Sequence, residues 1–212
     1  AITFSDGNNG FACGPSGLLM RSTNAGMNWI LMPQFTHLNL NSVYFLNSSK
    51  GFLCADSGKI FITSNGGSNW SIQSPGTIYQ NFMCMEFLDP LKGFMGAASL
   101  SSGSSTNFYR TTDGGISWQN VLIHAVINSW NDIEFVNSNT GYVCSNDGPI
   151  LCTTNSGTNW QITGLPPNTN MKSISKTDSA AIICGTNGWL SKIYPSGTQQ
   201  ILPLAITGKA KT

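Results

Sequence analysis

Four stretches of this chain share one eight-residue pattern: STNAGMNW at 22–29, TSNGGSNW at 63–70, TTDGGISW at 111–118 and TTNSGTNW at 153–160. Each opens on Ser or Thr, has Asn or Asp two places later, Gly two further on and Trp three beyond that. The marked positions are Asn24, Gly26 and Trp29; Asn65, Gly67 and Trp70; Asp113, Gly115 and Trp118; Asn155, Gly157 and Trp160. The tryptophans stand 41, 48 and 42 residues apart. Self-similarity at a period of about 40 residues restricts a chain to solenoids, propellers and arrays.

The repeat reaches well upstream of these stretches. Phe4, Phe45, Phe87 and Phe135 each stand six residues before a Gly-aromatic pair: Gly10-Phe11, Gly51-Phe52, Gly93-Phe94 and Gly141-Tyr142. In three units a Cys follows two places after the aromatic (Cys13, Cys54, Cys144), and Gly stands four beyond it (Gly17, Gly58, Gly148). A fifth, worn copy keeps Cys184 and Gly188, has Ala181 for the Gly, and ends on Tyr194-Pro-Ser-Gly197. The spacing predicts five units, near 1–38, 39–77, 78–126, 127–168 and 169–204, within one domain at 1–204. Residues 205–212 read as a tail or the start of a further module.

Unit two shows what each copy encodes. LNSVYF, GFLCA, KIFITS and NWSIQS are short aromatic and β-branched runs parted by turn residues, which read as strands. No sustained 3.6-residue apolar period appears, so helix is expected to be nearly absent. Four strands per unit predict an all-β fold, a β-propeller of four-stranded antiparallel blades with five blades in this chain. The eight-residue stretch is the turn between strands three and four. Its Gly supplies positive φ, its Asn or Asp accepts from backbone N–H groups, and its Trp packs over the sheet. These positions read as structural.

The turn pattern resembles the Asp box, or bacterial neuraminidase repeat. The longer unit is similar to the repeats of the photosystem II assembly and stability factor family and its bacterial relatives. The resemblance runs from Ile2 to about Leu204, and Asn replaces Asp in three of the four turns. It implies the propeller fold and leaves function open, because such propellers host sialidases, glucanases, assembly factors and binding modules. The segment from Ile201 to Lys209 resembles the junction that leads, in secreted proteins of Bacteroidota-like bacteria, into a C-terminal sorting module. A final strand with a frayed end is the alternative.

Composition narrows the classes. Only 9% of residues are charged and the net charge is +1, so there is no basic footprint for nucleic acid. No apolar run is long enough to span a bilayer. The chain opens at Ala1 on a strand-like segment and reads as a processed or trimmed piece. Cys13, Cys54, Cys144 and Cys184 hold one position in four units and are expected to be buried between blades, too far apart to pair. Cys144 and Cys152 are the one pair that could face each other. No cofactor and no metal site is expected. A charge-poor surface rich in Ser, Thr and Asn points to an extracytoplasmic location, secreted or on the cell surface.

Catalysis finds little support. A sialidase clamps its substrate carboxylate with three arginines, and this chain has two, Arg21 and Arg110, each directly before a turn pattern. Glu86 and Glu134 are the only glutamates, again at a repeat position, and Asp132 beside Glu134 is a thin basis for an acid pair. His37 and His124 have no evident nucleophile to activate. The sequence therefore points away from an enzyme and toward a module that binds a protein partner or, alternatively, a surface glycan. The expected binding face carries the turns at Pro15-Ser16, Asp56-Ser57, Asn146-Asp147 and Thr186-Asn187, and the links between blades. Unit three breaks the repeat with AASLSSGSSTNF, an insertion between strands two and three. It supplies the candidate partner-binding residues Ser99, Ser101, Ser102, Ser104, Ser105 and Thr106, with Tyr109 at its base.

Overall fold

A computed structural model describes residues 1–76, 78–100, 107–121, 123, 127–146, 149–163, 170–195 and 199–201. Among them are twenty strands, two short 3-10 turns and no α-helix. Blade 1 comprises β1 (Ile2–Phe4), β2 (Gly10–Cys13), β3 (Leu19–Ser22) and β4 (Ile30–Leu31). Blade 2 comprises β5 (Leu40–Phe45), β6 (Gly51–Ala55), β7 (Lys59–Thr63) and β8 (Ser71–Gln73). Blade 3 comprises β9 (Gln80–Phe87), β10 (Gly93–Ser99), β11 (Phe108–Thr111) and β12 (Gln119–Val121). Blade 4 comprises β13 (Trp130–Phe135), β14 (Gly141–Ser145), β15 (Ile150–Thr153) and β16 (Gln161–Thr163). Blade 5 comprises β17 (Met171–Lys176), β18 (Ala181–Gly185), β19 (Leu190–Ile193) and β20 (Gln199–Ile201). Each blade is an antiparallel meander in chain order, the unit of a β-propeller. The chain divides into two compact units, Ala1–Ile133 and Glu134–Thr212.

The Phe-to-Gly ruler is a packing rule. Phe4, Phe45 and Phe87 pair directly across the ladder with Gly10, Gly51 and Gly93. Each ring lies flat over its glycine, so a Cβ at Gly10, Gly51, Gly93 or Gly141 would stand 2.6–2.7 Å from a ring carbon. An aromatic that covers a strand glycine replaces the contacts the missing side chain cannot make. The same rings meet the turn tryptophans edge to face: Phe4–Trp29 and Phe45–Trp70 at 6.1 Å, Phe87–Trp118 and Phe135–Trp160 at 5.9 Å. This T-shaped geometry adds about 0.5–1.5 kcal/mol beyond area burial. All four tryptophans are half-buried.

The inner strands of blade 2 are apolar on both faces because each face meets a neighbouring blade. In the first unit, Phe11, Cys13 and Leu19 of blade 1 pack with Leu40, Val43, Phe45, Leu53, Ala55 and Phe61 of blade 2. Phe52, Cys54 and Ile60 on the other face of blade 2 pack with Phe82, Met85, Phe87, Met95, Ala97 and Tyr109 of blade 3. In the second unit, Tyr142, Cys144 and Ile150 of blade 4 meet Met171, Ile174, Ala181, Ile183 and Ile193 of blade 5. Each fully buried Phe, Leu or Ile contributes about 1.5–3 kcal/mol.

The cysteines correct two expectations. All six are free thiols. Cys13, Cys54 and Cys144 are buried as expected, and burial pushes the Cys54 thiol well above its usual range. Cys184, however, is exposed. Its face of β18 has no further sheet beyond it within the 134–212 unit. Cys144 and Cys152 do not face each other: Cys152 lies opposite Tyr142, and Val143 lies opposite Leu151.

Candidate functional site

Every blade has two edges, and they differ in chemistry. On one edge lie the β3–β4 turn and its equivalents. Ser22 Oγ accepts from Gly26 N at 2.9 Å and donates to Asn24 Oδ1 at 3.0 Å, and Asn24 Oδ1 accepts from Asn28 N at 2.9 Å. Thr63, Asn65 and Gly67 repeat this set, as do Thr111, Asp113 and Gly115, and Thr153, Asn155 and Gly157. Each turn is tied to the first hairpin of its own blade by one backbone bond: Ala25 N to Asn8 O, Gly66 N to Ser49 O, Gly114 N to Leu91 O, Ser156 N to Asn139 O. On this edge the Ser or Thr hydroxyl and the Asn or Asp side-chain oxygen are spent on the turn itself.

Asp113 is the charged version of the turn. Ser117 donates its hydroxyl to Oδ2 at 2.6 Å and its N–H to Oδ1 at 2.9 Å, and Thr111 Oγ1 donates at 2.7 Å. The Ser117 hydroxyl, then the Ser117 N–H and the Thr111 hydroxyl, lower the carboxyl from 3.8 to about 2. A depressed carboxylate pKa stabilises the fold above the unfolded value and loses that contribution as pH falls through the folded one. The melting temperature of the native chain should therefore fall more steeply between pH 3.8 and about 2 than that of Asp113→Asn, whose amide keeps the acceptor without titrating. Parallel melting curves for the two proteins over that window would show that the carboxylate is not coupled to folding.

The other edge carries the β2–β3 turn, its equivalents and the links between blades. Ser16, Ser57 and Asn187 adopt positive φ of 53°, 59° and 58°, each followed by a positive-φ glycine. Asn39 Oδ1 accepts from Ser16 N at 2.9 Å and Asn81 Oδ1 accepts from Ser57 N at 3.1 Å, so each link pins the turn of the preceding blade. Asp56 is held in place by donations from the Nδ2 groups of Asn39 and Asn41, both at 2.9 Å.

Both edges expose apolar groups, Met27 and Ile116 on the first and a cluster around the insertion on this one. Ile78 is 63%, Tyr79 64% and Leu100 59% exposed, and Leu100 N donates to Tyr79 O at 3.0 Å. The link into blade 3 and the start of its insertion thus form one small apolar platform. Ser99 ends β10 and pairs with Gln80. Ser101, Ser102, Ser104, Ser105 and Thr106 lie outside the described residues. Tyr109 is buried: its hydroxyl donates to Gln80 Oε1 at 2.8 Å and accepts from Asn107 Nδ2 at 3.0 Å, while its ring packs edge to face on Phe82. It braces the base of the insertion from inside. Sequence reasoning passed over Ile78 and Leu100. The signal available was one apolar residue within the only large break in the repeat, Leu100, and one in the link that opens the same unit, Ile78.

The titratable groups weighed for catalysis are engaged in the fold. Glu134 forms an ion pair with Lys176 at 3.2 Å. Arg21 Nη2 donates to Asn9 Oδ1 at 3.2 Å, and its guanidinium lies 5.5 Å over the Phe11 ring. Arg110 occupies the matching place in β11. His37 Nδ1 sits 3.2 Å from Gln34 Nε2, and His124 lies outside the described residues. Among the described residues no three His, Cys, Asp or Glu side chains converge, and no helix is long and apolar enough to cross a membrane.

No protein-family model and no curated protein matches this sequence. Solved structures do resemble it. YCF48 bound to D1 peptide superposes with a TM-score of 0.69 at 19% identity, over 95% of this chain and 67% of that one. An ancestral GH74 enzyme gives 0.74 at 19% identity, over 95% of this chain and 30% of the other. PorZ, an essential surface component of the type-IX secretion system of Porphyromonas gingivalis, gives 0.62 at 13% identity, over 97% and 27%. The chain spans about two thirds of the YCF48 chain and less than a third of the other two. Likeness at these identities establishes the shared fold alone.

Proposed function

We propose that this propeller is a non-catalytic protein-interaction module of Asp-box type, related to the photosystem II assembly factor repeats and working outside the cytoplasm. The observation that carries the reading is the platform of Ile78, Tyr79 and Leu100 beside the break in the repeat, where Leu100 N donates to Tyr79 O. A large amphipathic aromatic beside two exposed aliphatics is the composition of a protein-binding hot spot. Two structural neighbours support it by their own roles, one bound to a peptide and one a component of a secretion machine. The candidate residues Ser99, Ser101, Ser102, Ser104, Ser105 and Thr106 belong to the same proposal, since they continue directly from the platform in sequence. The sparse charge and the hydroxyl- and amide-rich composition support the extracytoplasmic placement. The engagement of Glu134 by Lys176, and of the arginines within repeated third strands, supports the non-catalytic reading.

A lectin-like reading has one observation in its favour. Cys152, Thr154, Asn155, Asn159, Gln161, Ile162, Thr163 and Pro195 line a cavity of about 260 Å³, and five of these eight carry the neutral amides or hydroxyls that bind sugar hydroxyls. The two readings separate in one experiment. Secreted proteins captured by the intact chain are compared with those captured by Tyr79→Ser/Leu100→Ser, and both proteins are applied to a glycan array. The double variant should keep its melting temperature and bind the captured protein about 10-fold or more weakly. Undiminished capture by the double variant would move the partner site elsewhere, and specific array binding without a protein partner would favour the lectin.

A further inference from the structure

One hydrogen bond latches the outer rims of blades 2 and 3 and has no counterpart between blades 1 and 2. Gln73, three residues after Trp70, donates from Nε2 to Ile116 O in the turn of blade 3 at 2.5 Å. The same position after Trp29 is Met32, whose thioether cannot donate to the matching carbonyl of Ser68. Between blades 1 and 2 there remains a cavity of about 310 Å³, bounded by Leu19 and the link that leaves blade 1 on one side and by the turn of blade 2 on the other. Both blades belong to the 1–133 unit.

The lining holds three kinds of group. Leu19 is buried and Met32 half-buried, which gives the cavity an apolar inner end. Phe35 and Trp70 form an aromatic wall. Their rings lie nearly parallel, at 12° with centroids 6.3 Å apart, and Phe61 holds Phe35 edge to face at 5.1 Å. Gln34, Ser68 and Asn69 stand exposed at the mouth. Gln34 Nε2 donates to Ser16 O at 2.7 Å, which fixes the amide and leaves Oε1 to accept. Asn69 spends its backbone N–H on Asn65 Oδ1 at 2.9 Å and keeps its side-chain amide free. Trp70 Nε1 is buried with no acceptor among the described residues, so a ligand oxygen that reaches it is favoured. Trp118 and Trp160 share the unpaired N–H, which marks a site only where the indole lines an open cavity beside other free groups, as Trp70 does.

No charged side chain lines the cavity, so its chemistry is neutral. A sugar ring without charge matches all three kinds of group. The C–H face of a pyranose lies on an aromatic wall, its hydroxyls exchange hydrogen bonds with neutral amides and a hydroxyl, and one hydroxyl oxygen can take the indole N–H. The volume stands at the lower end of the ~300–1,000 Å³ of small-molecule sites, which suits a mono- or disaccharide. A proline-rich peptide would use the aromatic wall but offers no hydroxyls to Gln34, Ser68 and Asn69. We propose that the cavity between blades 1 and 2 binds a neutral saccharide, with Phe35 and Trp70 as its stacking wall and Gln34, Ser68 and Asn69 reading its hydroxyls. This site goes beyond the protein-binding platform. It uses neither Tyr79 nor Leu100, and it lies in a different blade from the cavity lined by Asn155 and Gln161.

The test follows the indole N–H resonance of Trp70 in the isotope-labelled chain, assigned by its loss in Trp70→Phe. Glucose, galactose, mannose, N-acetylglucosamine, lactose and cellobiose are titrated in turn. One or more of these sugars should move the resonance saturably. Asn69→Ala removes an exposed amide that the fold does not use, and Phe35→Leu removes the ring while keeping an apolar residue. Both should keep the native spectrum, and each should weaken sugar binding about 10-fold or more. Asn28→Ala and Asn159→Ala change the same turn position in blades 1 and 4 and should bind as the native chain does. A resonance that no sugar moves overturns the proposal. So does a shift that survives Asn69→Ala or a folded Phe35→Leu. A shift lost in Asn159→Ala and kept in Asn69→Ala moves the sugar to the cavity of blade 4. A shift produced by an oligoproline peptide and by no sugar makes the cavity a peptide groove and also overturns the proposal.

Discussion

Replacing Trp130 by alanine is expected to lower the free energy of unfolding by about 3–5 kcal/mol, the range for truncating a buried aromatic. Trp130 opens β13 and is fully buried, the largest such side chain among the described residues. Its Cβ lies 2.6 Å from where a Cβ on Gly96 would stand, so the indole has been admitted by a glycine on the neighbouring blade. Its ring meets Phe108 edge to face at 6.0 Å, and Cys84 Sγ approaches its carbonyl oxygen at 3.7 Å. Three strands of blade 3 therefore line the space it fills, and rigid sheets collapse poorly into a cavity. One term works the other way. The indole Nε1 has no partner among the described residues, so its removal relieves a desolvation cost, and the result should fall toward the lower end of the range. For a chain of this size the melting temperature should drop on the order of 10 °C. The half-buried Trp70 should cost less when truncated, about 2–3 kcal/mol. A denaturant titration in which Trp70→Ala proved the more damaging would place the main stabilising contacts at the turns instead of the blade interface.

That ordering of tryptophans could not be read from the repeat. Periodicity picks out Trp29, Trp70, Trp118 and Trp160 because they recur, but recurrence at a turn fixes a contact to the blade's own Phe and leaves one side in solvent. Trp130 occurs once, where the repeat has Leu40 and Phe82, and a singular residue gives no periodic signal. The strands themselves were legible because alternation and turn chemistry act within a few residues. The Phe-to-Gly spacing was visible as a regularity, and its cause, a ring lying over a glycine on the paired strand, emerged only with the register. Cys184 marks a second limit. Its sequence position equals that of Cys54, but burial depends on whether another sheet follows, which is not a local property. The candidate site was partly legible for the same reason. The insertion in unit three announced an edge worth inspecting, yet Tyr109 turned inward to Gln80 while Ile78 and Leu100 remained outside. Which side of a chain break faces solvent is set by tertiary packing.

The adjacent glycines of the second turn should respond to alanine unequally, Gly67 losing more stability than Gly66. Gly66 and Gly67 both have positive φ, 65° and 79°, so conformation alone assigns each a cost of about 1–2 kcal/mol. Their surroundings separate them. The Gly66 position holds Ala25 in blade 1 and Ser156 in blade 4, at φ of 57° and 58°, so this backbone already accommodates side chains there. Gly66→Ala should cost about 1–2 kcal/mol, including the small shift that Ser48 O, 2.9 Å from the new Cβ, must make. Gly67→Ala must also drive a methyl into the ring of Phe11 at 2.6 Å. That ring is fully buried and stacked on Phe45 at 4.5 Å, so it cannot swing aside without opening the interface of blades 1 and 2. Overpacking of this kind adds about 1–3 kcal/mol, giving a total near 2–5 kcal/mol for Gly67→Ala. Pairing the substitution with Phe11→Leu supplies the diagnostic. If the ring is the obstacle, Gly67→Ala should cost less in the Phe11→Leu background than in the native one, with a coupling of about 0.5–3 kcal/mol. Additive effects across that cycle would mean that Gly67 is kept for its φ alone, and that the recurrence of glycine at this place in all four turns reflects backbone conformation and not the ring of the neighbouring blade.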